Sequence, residues 1–220
     1  MKELSFTIAN ALNASIESRG LAGIAFPGGR SPVPLFEVLR ERDVQWNKVD
    51  VTLVDERWLA ADNPQSNAYL LNTHFFLATV TAANFIPLAG DEPTPEEGLT
   101  AARQRLEALQ WPLDCVVLGI GPDGHFASLF PFMSGIEDAL DPATKGRLVP
   151  TTKLGDPPLA RISLTLPAIL DTRHLFLLAE GQEKQDTVRR ALQEGSVAEF
   201  PLRALMSQKQ RLVTIVPPLA

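Results

Sequence analysis

Leu4, Ile8, Leu12 and Ile16 recur four residues apart near the start of the chain, the spacing of one face of an amphipathic helix. Gly20 is placed to end it. The run LAGIAF (Leu21–Phe26) is apolar throughout and is stopped by PGG, which predicts a buried strand. In SPVPLFEVLRER, Ser31 reads as an N-cap and Pro32 as the first helical residue, where no donor is lost. VDVTLV (Val49–Val54) predicts a second buried strand running into the charged trio DER.

The pattern repeats downstream. SNAYLLNTHFFLA and TPEEGLTAARQRLEAL read as helices, the second opened by a capping box of Thr94 and Glu97 with Pro95 in its first turn. DCVVLGI predicts a third strand, RISLTL and HLFLLAE two more, and RLVTIV a last one. A helix runs through KQDTVRRALQ and is closed by Gly195, while LGDPPLA (Leu154–Ala160) reads as a loop. The tail beyond Pro217 reads as short and mobile. Strands alternating with helices imply crossover connections, hence an α/β fold with a mostly parallel sheet and helices on both faces.

With 220 residues and 45% hydrophobic content, the chain can bury one substantial core, and a single domain over 1–220 is expected. The formal net charge of −6 and the absence of a basic stripe argue against a nucleic-acid partner. An acidic average still permits a locally positive pocket. The single cysteine, Cys115, lies in an apolar run and reads as a small buried hydrophobe. The N-terminus lacks the apolar block of a secretory signal. No stretch approaches the roughly 20 apolar residues of a membrane span. A cytoplasmic protein with no membrane partner is expected.

Three polar breaks fall at three successive strand ends, where ligands bind in open α/β sheets. PGGRSP follows the first strand. Its glycines let backbone N–H groups approach an anion, and Arg30 and Ser31 add a cation and a hydroxyl. The same residues equally suit a tight turn with Ser31 capping a helix. DER follows the second strand. Arg57 offers forked donors to a phosphate, carboxylate or oxyanion, or else forms a structural pair with a carboxylate at the sheet edge. GPDGH follows the third. Neutral imidazole accepts a proton near physiological pH, and Asp123 is placed to orient the His125 ring. An Asp-Gly turn with a locally satisfied histidine is the alternative.

His74 and His174, the other two of the three histidines, sit in patterns that suit packing or surface positions. Lys184 opens a helix after a strand, where a bound anion would offset its unfavourable placement against the dipole; a solvated lysine is the alternative. No cluster has metal-ligand spacing and no nucleophile elbow is present. Neither a metal nor another cofactor is called for. The residues alone thus reach an α/β enzyme acting on a small phosphorylated substrate with a histidine base.

Together the three breaks resemble the 6-phosphogluconolactonase family, within the wider glucosamine-6-phosphate isomerase/6-phosphogluconolactonase group. GPDGHFASLFP is similar to that family's D-G-H-x-A-S-L-F-P signature, and VDERWLAADNPQSN to its D-E-R followed by a Ser-Asn pair. PGGRSP stands where the family has a Ser-Gly-Gly-Ser-Thr-Pro-like loop; Arg30 replaces a small residue there. The stretch after Asn63 lacks a histidine seen in some relatives, and the C-terminus is shorter than in many.

The resemblance implies a Rossmann-like fold and hydrolysis of 6-phosphogluconolactone, a phosphorylated sugar lactone, to 6-phosphogluconate, in the oxidative pentose phosphate pathway or a sugar-acid branch. It implies His125 activating water with Asp123 beside it, and Arg57 at the substrate or the developing oxyanion. Gly28, Gly29, Ser31, Arg161 and Lys184 would hold the phosphate, with Arg30, Asp55 and Asn67 as further substrate contacts. Two readings compete. A glucosamine-6-phosphate deaminase/isomerase resembles D-E-Y where this chain has DER, and N-E-P where it has SLFP. A non-catalytic sugar-phosphate sensor would keep the phosphate loop without needing His125. The oligomeric state, monomer or small homo-oligomer, stays open.

Overall fold

The computed structural model describes residues 1–219, and at Thr152 the backbone alone. The first helix, α1 (Lys2–Arg19), buries Leu4, Ile8, Leu12 and Ile16 and ends at Gly20, whose φ of 82° suits a residue without Cβ. β1 (Ala22–Phe26) follows. The next helix, α2, spans Val33–Leu39 with Pro32 at its N-cap, so the expected start at Ser31–Pro32 lies too early and Ser31 does not cap it. β2 (Val49–Leu53) and, after one residue, β3 (Asp55–Arg57) come next.

α3 (Asn67–His74) starts as expected, with Ser66 capping the Tyr69 amide, but it stops four residues short of the predicted end. Phe75 is the cause. It is fully buried, with its ring 4.9 Å from Phe26 and 5.4 Å from Trp46, and this aromatic cluster pulls the chain out of helical course. β4 (Asn84–Phe85) is too short to read from sequence. α4 (Pro95–Leu106) carries the predicted Thr94 cap, whose hydroxyl meets both the Glu97 amide and its carboxylate.

β5 (Leu113–Leu118) is fully buried, and Cys115 with it. α5 (Ile136–Leu140), β6 (Leu148–Leu154), β7 (Leu159–Leu164) and α6 (Leu166–Leu170) precede β8 (Thr172–Leu178). α7 (Gln182–Ala191), α8 (Leu202–Ser207) and β9 (Val213–Val216) complete the chain. Gly195 stands beyond the end of α7 rather than closing it, in a place where a Cβ would meet the Arg203 guanidinium at 2.5 Å. In the tail, Leu219 packs against the core; Ala220 lies outside the described residues.

The main sheet has six strands in the order β4-β2-β1-β5-β8-β9, all parallel. β1, β2 and β5 are buried at every position, as a sheet with both faces covered requires. This is the Rossmann-like α/β fold. The chain leaves β1 toward β2 on one side and later returns through β5 on the other. The loops after β1 and β5 therefore diverge and open a crevice at the carboxyl edge of the sheet.

A second, antiparallel sheet of order β3-β7-β6 changes two expectations. DER is not a loop at a strand end but a short strand, and RISLTL does not join the main sheet. Val54 is the hinge: its N–H donates to Phe26 in the main sheet and its carbonyl accepts from Leu164 in the second. The predicted loop LGDPPLA is the hairpin between β6 and β7, with Gly155 at φ +84° and the loop's outer residues inside the strands.

At the opposite edge, Asp114 ties α1 to the sheet. Its buried carboxylate accepts from Ser15 Oγ at 2.6 Å, from the Gly23 amide at 2.9 Å and from Arg19, with Arg173 at 3.4 Å. Removing it strands several buried or half-buried donors at once. Asp114→Ala should cost about 2–4 kcal/mol in urea unfolding, whereas Arg173→Ala, at a side chain 46% exposed, should cost under about 0.5 kcal/mol.

Candidate active site

The turn after β5 is built around glycine. Gly121 donates to the His125 carbonyl at 2.9 Å and accepts from Gly124 at 3.0 Å. A Cβ on Gly121 would lie 2.2 Å from His125 Cε1 and 2.8 Å from Asp123 Oδ1, so the ring and the carboxylate occupy the space that glycine leaves. Gly124 has φ +82° and faces the Phe200 ring. Asp123 Oδ1 accepts from the His125 amide at 3.2 Å and meets His125 Nδ1 at 2.6 Å. This contact places the proton on Nδ1 and leaves the Nε2 lone pair to accept another. Burial raises the Asp123 carboxyl, but the hydrogen bond and charge of His125 outweigh it and hold the group below the ordinary carboxylate value. Phe130 stacks on the imidazole with centroids 4.3 Å apart.

The loop after β1 supplies Gly28, Gly29 and Ser31. Gly28 is needed for close approach, since a Cβ there would lie 1.9 Å from Asn67 Oδ1. Gly29 has φ +81° with open space around its Cα. Ser31, not engaged as a cap, accepts a hydrogen bond from Lys184 Nζ. Lys184 comes from the first turn of α7. Partial burial lowers its ammonium pKa, with Glu180 and Glu183 acting the other way.

β3 delivers the remaining charged groups. Asp55 is buried and accepts from Ser128 Oγ at 2.5 Å, with Arg161 Nη1 at 3.9 Å. Arg57 lies directly opposite Arg161 in the β3–β7 register and donates to the Gln65 carbonyl at 2.5 Å. Desolvation lowers the Arg161 pKa; the Asp55 charge raises it and that of Arg57 lowers it further.

Glu56, between Asp55 and Arg57, was not among the expected site residues. It points away from the cavity and caps α3 from outside the helix. Its carboxylate accepts from the amides of Arg57, Asn67 and Ala68, each at 2.7 Å, and from Ser66 Oγ at 3.1 Å. Burial pushes its carboxyl up to about 7 against the pull of these amides, and the Asp55 charge adds to the rise. Asn67 Nδ2 in turn donates to the Asp55 carbonyl at 2.9 Å. The acidic residue preceding Arg57 is visible in sequence; its partnership with a helix start ten residues later is not.

These pieces enclose a cavity of about 220 Å³ in which Gly28, Arg57 and His125 converge, with Ser31, Arg161 and Lys184 on its other walls. Gly29, Asp55 and Asn67 also line it. Asp123 stands behind His125. Arg30 is not on this cavity; it lines a neighbouring one of about 280 Å³. His174 is exposed on β8, and His74 is half-buried at the end of α3. The cavity is small and polar, with cations on one side and an imidazole–carboxylate pair on the other. It suits a small anionic substrate and a proton transfer.

The family model for glucosamine-6-phosphate isomerases/6-phosphogluconolactonase matches residues 1–214. A protein named 6-phosphogluconolactonase from Mesorhizobium japonicum is 36% identical over 96% of this chain and 88% of its own length. Another so named, from Rhizobium meliloti, is 37% identical over 92% and 87%. The crystal structure of a 6-phosphogluconolactonase from Shewanella baltica superposes with a TM-score of 0.92 at 35% identity, covering 97% of this chain and 90% of that one.

Gly121→Ala tests the steric seat of the imidazole. The added methyl must displace the ring, so the His125 ring N–H resonance should lose the signature of its hydrogen bond to Asp123 while far-UV circular dichroism stays unchanged. Glu56→Ala should cost about 1–3 kcal/mol in denaturant unfolding, because the amides of Asn67 and Ala68 then lack an acceptor.

Proposed function

The chain belongs to the glucosamine-6-phosphate isomerase/6-phosphogluconolactonase family, and from that premise we propose that it hydrolyses 6-phosphogluconolactone to 6-phosphogluconate, with His125 as the base that activates water. The observation that carries this reading is the His125–Asp123 pair opening onto the same cavity as Arg57, Arg161 and Lys184. A lactone is an activated ester. It needs a deprotonated water, a partner for the oxyanion and a proton for the departing ring oxygen.

Each need has a residue. His125 Nε2 takes the proton as the water oxygen bonds to the lactone carbonyl carbon. Asp123 holds the ring's tautomer and stabilises the imidazolium that forms, and its lowered pKa keeps it ionised while it does so. Arg57 faces the tetrahedral oxyanion. Collapse of that intermediate breaks the bond to the ring oxygen, which recovers the proton from the imidazolium as a hydroxyl. Positioned base catalysis is worth about 10²–10⁴-fold, and an aimed oxyanion donor about 10²–10³-fold. The amides of Gly28 and Gly29, with Ser31, Lys184 and Arg161, hold the phosphate and so convert remote binding energy into orientation. Because α2 is short and begins at Val33, the loop amides and side chains carry this role more than a helix dipole does. Asp55, held by Ser128, and Asn67 fix the wall between the two halves. A phosphorylated sugar is charged and stays in the compartment that makes it, which supports a cytoplasmic location.

The deaminase/isomerase reading differs at the residue after Asp55-Glu56, where this chain has Arg57. Purified protein offered both substrates should open the lactone well above its spontaneous rate and release no ammonia from glucosamine 6-phosphate; the reverse outcome overturns the proposal. His125→Ala should lower kcat by about 10²–10⁴-fold while 6-phosphogluconate affinity in calorimetry changes less than about threefold; full turnover in that variant removes the histidine base. On the acid side, kcat/KM should show no step at the ordinary carboxylate value from Asp123, because the contact with His125 holds that carboxyl below it.

A further inference from the structure

Behind the wall formed by Arg57 and Arg161 lies the second cavity, of about 280 Å³. Three arginines line it, Arg30, Arg57 and Arg161, and no acidic side chain does. Such a concentration is unusual in a chain of net charge −6. Arg30 is exposed and has no side-chain hydrogen bond or ion pair among the described residues. Arg57 Nε is buried without a hydrogen-bond partner, although Nη1 is engaged with Gln65. Arg161, the phosphate contact of the reading above, is only 6% exposed; its Nε donates to the Leu154 carbonyl at 3.3 Å and its nearest carboxylate oxygen is at 3.9 Å. The buried, unpartnered Arg57 Nε and the exposed Arg30 guanidinium on the same cavity offer an anion a place between them. Arg57 and Arg161 also line the cavity that holds His125, so the two spaces meet at their side chains.

We propose that this side cavity is a carboxylate subsite, which receives the carboxylate that ring opening creates on the product. The inference rests on the lactonase reading. Substrate and product carry the same phosphate; hydrolysis adds one ionised carboxylate and converts a ring into an open chain. That carboxylate forms beside Arg57, where the oxyanion is held, and the open chain has the freedom to swing it past Arg57 toward Arg30. Arginine matches a carboxylate with two parallel N–H donors, which a lysine cannot do. The subsite therefore favours the product acid over a neutral open-chain sugar phosphate, draws the carboxylate away from His125, and makes Arg30 the residue that sets product retention.

Calorimetric titration with 6-phosphogluconate and with glucitol 6-phosphate, an open-chain phosphate without the carboxylate, separates the possibilities. The unaltered protein should bind the acid about tenfold or more tightly than the alcohol, the gain of one charge-assisted bidentate contact. Arg30→Ala should cut that preference to about threefold or less, and Arg30→Lys should recover only part of it. Equal affinity of the unaltered protein for both ligands overturns the proposal. So does an Arg30→Ala loss that falls equally on both, which marks a phosphate contact, or a preference that Arg30→Ala leaves intact. Because the readout is binding, it stands even if lactone turnover is absent.

Discussion

Arg57 and Arg161 occupy directly opposed positions on adjacent antiparallel strands, a placement that costs Coulomb energy unless neighbouring carboxylates offset it. Asp55 and Glu56 on the same short strand do so. Asp55 is buried next to Arg161 and held by Ser128. Glu56 anchors the strand to the start of α3 through three hydrogen bonds. The strand β3 is thus a charged ribbon clamped from both ends, and the cationic wall it presents to the cavity is fixed before any ligand arrives. Preorganised charge of this kind is what an acidic protein needs to attract an anionic substrate to one place on its surface.

The other half of the site depends on absent atoms. Gly121 leaves the space that the His125 ring and Asp123 fill, and Gly28 leaves the space that Asn67 fills. Both glycines follow strands that end at the point where the order of the sheet reverses, so each loop is free of the next strand's ladder and can turn into the crevice. The imidazole–carboxylate pair, the diglycine turn and the charged ribbon come from three separate strand ends. They meet because β2, β1 and β5 are neighbours in parallel, with β3 leaving β2 by way of Val54. The whole constellation therefore sits at one edge of the sheet, while the Asp114 network secures the opposite edge.

The amino-acid sequence by itself determined the parallel strands β1, β2, β5 and β8, helices α1 and α4, and the chemistry at the three breaks. Periodicity, capping residues and glycines act over a few neighbouring residues, so the local chain carries that information. It did not determine the second sheet. β6 contains Pro150, β3 is polar, and neither shows an apolar run; they are strands only because β7 pairs with both. The end of α3 was set by Phe75 packing against rings from β1, α2 and the Trp46 turn, the release of Ser31 by a helix that begins at Val33, and the separation of Arg30 from the main cavity by the path of the loop. Glu56 looks in sequence like one more charge beside Arg57, and only the tertiary structure turns it inward to the amides of α3. Such pairings join residues far apart in the chain, and their free energy comes from burial and hydrogen bonds that exist only once the strands are assembled.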